Sequence, residues 1–288
     1  MNTKGKPTLI DLFAGCGGLS LGLENAGFQS IYVNELNNDA LDTYLINRED
    51  NPLLRSKFST NDIKDVIKND PKLDQLINDL NKSYSRDFTK DNIDLVAGGP
   101  PCQGYSGIGI RRSYSVDKEK LPSNHLYDYM GYFIEKIKPK IFLFENVEGL
   151  LNSRWNKDGT KGEIFEDVKS RFNEIKDYNV RHKLIYAKDY GVPQRRPRII
   201  VIGVRDGLIT AKSNSDDAVE AGFLPKPSND YQNLIDVLSD LVDEKFEYGG
   251  KTTKYPHSVQ SDFQKYLRTK PDGTIAKKGD ALTDHEYS

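Results

Sequence analysis

The segment TLIDLFAGCGG, residues 8–18, is the strongest indication of the fold, because an apolar run passes here directly into a cluster of glycines. Residues 8–13 predict a buried strand, the glycines predict a tight turn, and the residues that follow predict a helix through Ala26. Glycines in such a turn let the backbone approach a ligand closely. The unit therefore predicts the start of an α/β domain with a ligand site beyond its first strand.

Beyond this segment, short apolar runs alternate with helical patterns along most of the chain. Strands are predicted over residues 30–33, 93–97, 141–144, 180–187 and 198–204, and helices over 38–47, 62–80, 126–137, 164–175 and 231–242. This alternation predicts a mostly parallel sheet covered on both faces, with the last two strands forming an antiparallel edge. After residue 205 the chain becomes polar, and the tail is expected to bury no core of its own.

The bulk composition bounds the class of protein. A hydrophobic fraction of 36% and a charged fraction of 29% are typical of a soluble protein. The net charge of −2 gives no overall attraction to nucleic acid, so any DNA contact must come from local basic patches. Two cysteines are too few for a disulfide framework, and no apolar run approaches the ~20 residues that span a bilayer. The sequence predicts a cytoplasmic protein with no membrane partner.

A second motif, GGPPCQGYS at residues 98–106, follows the apolar run 93–97. Prolines and glycines around Cys102 predict an exposed nucleophile at the end of a strand, although a small buried cysteine is the alternative. Glu145, in FENV at residues 144–147, supplies an acid after another strand; a capping carboxylate is its alternative role. Together these two side chains predict covalent attack on an electron-poor ring.

The first glycine turn favours a nucleoside ligand. It lacks the third glycine of the dinucleotide-binding pattern, but Glu35 ends the next strand and could accept hydrogen bonds from ribose hydroxyls. Asp62 follows at a further strand end. These positions predict a cofactor with a nucleoside and an amino-acid moiety, and a purely structural turn is the alternative.

With these residues quoted, the chain resembles the DNA (cytosine-5)-methyltransferase family. The blocks that carry the resemblance stand in the family's order: DLFAGCGG (11–18), NE (34–35), DI (62–63), GPPCQ (99–103), NHL (124–126), ENV (145–147) and QRRPR (194–198). The resemblance implies a Rossmann-like methyltransferase fold, S-adenosylmethionine as cofactor, no metal, and double-stranded DNA as substrate. It also implies that residues 1–205 form the catalytic domain and 206–288 a connecting region.

The resemblance implies a pocket in which Phe13 packs on the adenine, Glu35 holds the ribose and Asp62 contacts the adenine edge. Leu36 departs from family members that carry an aromatic residue there. The implied cofactor-binding residues are Asp11, Phe13, Ala14, Gly15, Gly17, Gly18, Glu35, Leu36, Asp62, Ile63, Pro100 and Leu126.

The family's mechanism assigns the remaining motifs. Cys102 attacks C6 of a cytosine flipped out of the duplex, Glu145 protonates N3, and Arg196 contacts the base. The implied catalytic residues are Cys102, Glu145, Arg196 and Arg198, and the implied DNA-binding residues are Gln103, Ser106, Arg111, Arg112 and Gln194. Arg196 and Arg198 stand at i and i+2, so on a strand both side chains are expected to project to the same face. Surface ion pairs are the alternative for the arginines of QRRPR.

After residue 205 the sequence shows neither the family's target-recognition domain nor its C-terminal Gly-Asn block. Three readings stay open: one subunit of a split enzyme completed by a second polypeptide, a truncated form, or a non-catalytic cofactor- or nucleic-acid-binding fragment. An RNA cytosine-5 methyltransferase of the same fold is a further alternative, although QGYS at 103–106 favours the DNA enzymes. Members of this family commonly belong to restriction-modification systems, and the resemblance suggests the same for this chain.

Overall fold

The computed structural model describes residues 5–67, 70–85, 87–88, 92–101, 122–228, 233–245, 247, 254–270 and 272–281. The chain divides into two compact units. The first comprises Met1–Ile185 and Pro197–Lys226, and the second comprises Tyr186–Arg196 and Pro227–Ser288. The predicted functional boundary at residue 205 stays a prediction.

One seven-stranded sheet organises the first unit. Its strands are β1 (Thr8–Leu12), β2 (Gln29–Asn34), β3 (Ser59–Thr60), β4 (Leu95–Gly98), β5 (Ile141–Val147), β6 (Tyr178–Tyr186) and β7 (Pro197–Arg205). Their spatial order is β3-β2-β1-β4-β5-β7-β6. The pairs β1–β2, β1–β4, β2–β3 and β4–β5 are parallel, whereas β7 runs antiparallel to β5. The predicted α/β fold, with a mostly parallel sheet and an antiparallel edge, is confirmed.

The helices of the described residues match most of the predicted ones. They are α1 (Gly18–Asn25), α2 (Asn38–Ile46), α3 (Pro52–Ser56), α4 (Ile63–Ile67), α5 (Asp70–Tyr84), α6 (Leu126–Ile137), α7 (Glu163–Asn173), α8 (Leu234–Leu238) and α9 (Asp262–Leu267). Within the helix predicted over 62–80 the structure describes α4 and α5, and Pro71 suits the first turn of α5. None of these helices is long and apolar enough to cross a membrane.

Aromatic side chains fill the main core of the first unit. Phe142 and Phe144 on β5 contact Phe172 of α7, with ring centroids 5.3 Å and 5.2 Å apart, and all three are buried. A smaller apolar cluster of Leu9, Leu95 and Ala97 lies apart from this core. The pleat of β5 therefore holds its even-numbered residues in the core and leaves its odd-numbered ones half-buried.

The second unit corrects the expectation that the tail buries no core. Arg268 pairs with Asp240 at 2.6 Å, with side-chain exposures of 2% and 4%, and its guanidinium carbon lies 3.8 Å from the ring centre of Tyr255. Val237 and Ala276 are buried as well. A count of apolar residues missed this core because its central side chain is a paired arginine. The helix predicted over 231–242 is shorter in the described residues, where α8 passes into a 3-10 turn, Ser239–Leu241.

Candidate functional site

The carboxyl ends of the parallel strands share one edge of the sheet. Leu12 is opposite both Asn34 and Gly98, and Gly98 is opposite Phe144. The residues that follow these strands therefore emerge side by side, as expected for ligand sites in open α/β sheets. This register brings together the motifs that the sequence places after β1, β2 and β4, and within β5.

The glycine turn, which we define as residues 13–17, is held by backbone and side-chain contacts at this edge. The Ala14 N–H donates to the Asn34 carbonyl at 3.0 Å, and the Gly15 N–H donates to a Glu35 carboxylate oxygen at 2.8 Å. Phe13 and Gly17 have φ values of 56° and 90°. Because φ of 90° is strained for any residue with a Cβ, only glycine suits position 17.

Glu35 is fixed from two sides. One carboxylate oxygen accepts from Gly15, and the other accepts from the Asn37 N–H at 2.8 Å. The carboxylate is half-buried and retains lone pairs for hydroxyl donors. The neighbouring Leu36 is 70% exposed, so its side chain is free to contact a ligand.

The end of β3 is tied to the end of β2. The Asn34 side-chain amide donates to the carbonyls of Thr60 and Asn61, at 3.2 Å and 2.9 Å. Asp62 follows directly and accepts the Lys64 N–H at 2.9 Å, while Ile63 is buried. Asp62 and Ile63 thus lie at the start of α4, next to the edge that carries Glu35.

Asp11 lies under the glycine turn and is an unusual carboxylate. It is 1% exposed, and neither carboxylate oxygen has a hydrogen-bond partner within normal geometry. Burial raises its pKa to about 7, an effect that nearby Ser20 and Arg48 only partly offset. The Ser20 hydroxyl instead donates to the Gly17 carbonyl at 3.2 Å.

Glu145 and Arg198 form an ion pair across the antiparallel strands β5 and β7. The Glu145 Oε1 lies 2.5 Å from the Arg198 Nε, although the Nε–H is not aligned for a hydrogen bond. Gly99, after β4, approaches the same carboxylate so closely that a Cβ there would be 3.0 Å from Oε2. The acid predicted for catalysis therefore lies beside the segment that leads to Cys102.

Asn146 anchors that segment from the other face of β5. Its side-chain amide donates to the Pro100 carbonyl at 3.2 Å, and its Oδ1 accepts the Val147 N–H at 2.9 Å. Asn146 and Pro100 are both buried. Adjacent residues of β5 thus have two roles: Glu145 is the acid, and Asn146 holds the Pro100 segment.

Five predicted residues lie outside the described part of the chain: Cys102, Gln103, Ser106, Arg111 and Arg112. Gln194 and Arg196 are exposed members of the second unit. Arg196 has a φ of 21° and precedes β7, which begins at Pro197. Strand alternation therefore does not place Arg196 and Arg198 on one face. Leu126 begins α6 and packs against the main core.

The polar contacts behind the glycine turn were not predicted from the sequence. Arg48, just after α2, pairs with Glu24 of α1 at 2.8 Å and is 7% exposed. No motif marks either residue, because the pairing depends on how α1 and α2 pack.

Comparisons with known proteins fit this arrangement. The profile of the C-5 cytosine-specific DNA methylase family matches residues 8–280. The type II methyltransferase M1.HphI of Haemophilus parahaemolyticus is 32% identical over 281 residues, which cover 91% of this chain and 67% of that protein. The type II methyltransferase M.AgeI of Thalassovita gelatinovora is 32% identical over 277 residues, which cover 90% of this chain and 57% of that protein.

Among solved structures, an E. coli prophage protein described as a DNA modification methyltransferase is similar to this chain. Its TM-score is 0.56 at 25% identity, over 89% of this chain and 61% of that one. The chain thus spans roughly three fifths of these proteins, and the family match includes residues that sequence analysis assigned to a connecting region. Motif order, sheet topology and a family match over almost the whole length agree, and the chain belongs to the C-5 cytosine-specific DNA methylase family.

Proposed function

We propose that this chain is the catalytic part of a DNA (cytosine-5)-methyltransferase, which transfers a methyl group from S-adenosylmethionine to C5 of cytosine. The observation that carries the proposal is the arrangement at the end of β5. Glu145 is paired with Arg198, and Asn146 holds the Pro100 carbonyl two residues before Cys102. One residue of β5 provides an acid, and the next residue holds the segment that leads to a cysteine. This arrangement suits covalent attack on a pyrimidine.

The glycine turn and its surroundings fit the cofactor. Glu35 offers carboxylate lone pairs to ribose hydroxyls, exposed Leu36 offers apolar contact, and Asp11 is a buried carboxylate without a partner. When bound, S-adenosylmethionine would supply an electrophilic methyl group. The remaining residues assigned to it by family resemblance are Phe13, Ala14, Gly15, Gly17, Gly18, Asp62, Ile63, Pro100 and Leu126.

The proposed chemistry balances around the cytosine ring. The Cys102 thiolate forms a bond to C6, and N3 receives the displaced electron pair and a proton from Glu145. Glu145 must carry that proton when the base is bound, although its pairing with Arg198 favours the carboxylate. After methylation at C5, a base removes the C5 proton. The Sγ–C6 bond then breaks and releases the thiolate, and N3 returns its proton to the Glu145 carboxylate, which restores the aromatic ring and the acid.

We assign the DNA contacts to the loop after Cys102 and to the QRRPR segment. The base must leave the duplex, because stacking blocks the face that the thiolate attacks. Gln103, Ser106, Arg111 and Arg112 would close over it and meet phosphates. Arg196 would contact the base, and Gln194 and Arg198 would support it. The reaction would take place in the cytoplasm, within a restriction-modification system.

We also propose a protein partner, a second polypeptide equivalent to the part of the relatives that this chain does not match. Ile141 and Leu143 are half-buried on β5, although their neighbours Ile202 and Val204 on β7 are buried. Strands inside a mostly parallel sheet are normally covered on both faces. Ile141 and Leu143 already pack against the cluster of Leu9, Leu95 and Ala97, and an apolar segment of the partner would cover the part of these side chains that is still exposed.

Transfer of labelled methyl groups to double-stranded DNA tests the proposal. With a polypeptide that supplies the unmatched part of the relatives, we expect transfer that is abolished in Cys102→Ala and strongly reduced in Glu145→Gln and Arg198→Gln. The matched controls are Glu148→Gln, just after β5, and Arg205→Gln, at the far end of β7, and both should retain activity. Trapping of wild type, but not of Cys102→Ala, on DNA containing 5-fluorocytosine would demonstrate the covalent bond.

The other readings predict different results in the same assay. Transfer to RNA in preference to DNA would favour the RNA enzyme. Transfer by the chain alone would contradict the need for a second polypeptide. Cofactor binding without transfer, even with a polypeptide that supplies the unmatched part, would favour a non-catalytic fragment.

A further inference from the structure

A buried arginine supports the glycine turn from behind. Arg48 Nη2 donates to the Gly17 carbonyl at 3.3 Å and to the Ser20 hydroxyl at 3.1 Å. Its Nε donates to the Glu24 carboxylate at 2.8 Å, and its Nη1 donates to the Tyr44 carbonyl at 3.1 Å. Its guanidinium carbon lies 3.7 Å from the ring centre of Tyr44. The same guanidinium thus contacts the turn, the first helix and the second helix.

The packing behind Gly17 leaves no room for adjustment. A Cβ at Gly17 would lie 2.6 Å from the Tyr44 ring and 2.7 Å from an Arg48 nitrogen. The turn consequently rests directly on these two side chains. Removal of Arg48 would leave the Gly17 carbonyl without this donor and Glu24 without its counter-charge.

Arg48 also acts on Asp11, which lies below the turn. Its positive charge lowers the pKa of Asp11, against the larger effect of burial, which raises it. The groups that face Asp11 from the surrounding elements are Ser20 and Glu24 of α1, Glu35 after β2, Tyr44 of α2, and Arg48 itself.

The pair of Arg48 and Glu24 also borders a cavity that is open to solvent. A cavity of about 720 Å³ is lined by Arg48 and Glu24, together with residues near the start of β2 such as Gln29 and Ser30. It is large enough to admit a guanidinium ion, which would meet the Glu24 carboxylate there.

We propose that Arg48 is a positioning residue for the cofactor: it holds the glycine turn in its binding conformation, and the adjoining cavity lets small cations reach that contact. The inference rests on the proposed function for the identity of the cofactor. It assigns to Arg48 a role that no sequence motif indicates.

The experiment compares Arg48→Ala with the matched control Arg55→Gln, an exposed arginine of α3 that pairs with Asp42 at 3.4 Å. In Arg48→Ala we expect S-adenosylmethionine to bind at least about tenfold more weakly, as for loss of one charge-assisted hydrogen bond. Hydrogen exchange of residues 13–18 should be faster without any ligand. Arg55→Gln should match wild type in both measurements.

Two further readouts separate positioning from general stability. Millimolar guanidinium, but not equal sodium chloride, should restore binding to Arg48→Ala through the cavity. The pH midpoint of cofactor binding should rise, because Asp11 loses a nearby positive charge. If Arg48→Ala does not fold, Arg48→Lys keeps the charge without the planar fork and should show intermediate exchange and affinity.

The outcomes distinguish this inference from the proposed function. A wild-type chain that binds no S-adenosylmethionine would contradict both. Wild-type binding with unchanged affinity and exchange in the Arg48 variant contradicts the positioning role alone. A lower melting temperature without change in affinity or exchange would likewise reduce Arg48 to a structural ion pair.

Discussion

At the scale of single residues, the site is built from charged groups held in unlike surroundings. Glu35 is half-buried and receives two backbone N–H groups, whereas Asp11 is buried without a partner. Glu145 faces a guanidinium at 2.5 Å. Three carboxylates along one sheet edge are thus suited to different tasks by what surrounds them.

Asp11 gives a prediction for the dependence of stability on pH. Because its pKa is raised to about 7 in the folded chain, the folded state binds the proton more tightly than the unfolded state. The free energy of unfolding therefore contains a contribution that is fully present below about pH 4 and is lost as pH rises through about 7. Its slope is at most about 1.4 kcal/mol per pH unit.

Asp11→Asn should remove this part of the slope, since an amide does not titrate. Urea unfolding at several pH values checks this, with the exposed Asp158→Asn as the control. An Asp11→Asn chain whose slope equals that of wild type would show that Asp11 is ionised in the folded state at all these pH values.

At the scale of elements, β1, the glycine turn and α1 act as one unit. Gly17 is in the left-handed region and in contact with Tyr44, whereas Gly22, inside α1, has open space where a Cβ would be added. Two glycines five positions apart therefore differ in whether they can carry a side chain: a Cβ would clash at Gly17 and would meet no atom at Gly22.

This contrast predicts opposite effects of alanine. Gly17→Ala should weaken cofactor binding and lower the melting temperature, because the Cβ meets the Tyr44 ring at 2.6 Å. Gly22→Ala should stabilise the chain by about 0.5–1 kcal/mol and leave the affinity unchanged. Calorimetry of unfolding and of cofactor binding measures both, and equal behaviour of the two variants would contradict the close packing at Gly17.

At the scale of the whole molecule, the chain contains two units of different character. The first is an α/β sheet with an aromatic core, and the second is organised around the buried pair Arg268–Asp240. Breaking a buried pair leaves an uncompensated charge, which typically costs about 3–5 kcal/mol.

Arg268→Met should therefore unfold the second unit locally. Hydrogen exchange should increase over residues 254–281, while β1 to β5 stay protected. The exposed Lys265→Met, on α9, is the control. Replacing both partners, as Arg268→Met with Asp240→Leu, should recover much of the stability, and failure of every variant to alter exchange would contradict this core.

Much of the fold was predictable because it follows from local pattern. Apolar runs and glycines indicated the parallel sheet, and strand-end acids such as Glu35 indicated the edge of the sheet at which a ligand is expected. Arg48 was not predictable, since its role depends on α1 and α2 meeting behind the turn. The core around Arg268 escaped prediction because a paired arginine does not count as apolar. The contact between Asn146 and the Pro100 carbonyl was not predictable either, because it follows from the pairing of β4 with β5.

The alternation of β5 has a consequence for the changes of sequence that this strand can accept. Glu145 and Asn146 point to opposite faces, one towards Arg198 and the other towards Pro100. Inserting or deleting one residue upstream in the strand would exchange the two faces and send the amide where the acid belongs. Diversification at this strand is therefore confined to substitution, and changes in length must fall in the loops around it.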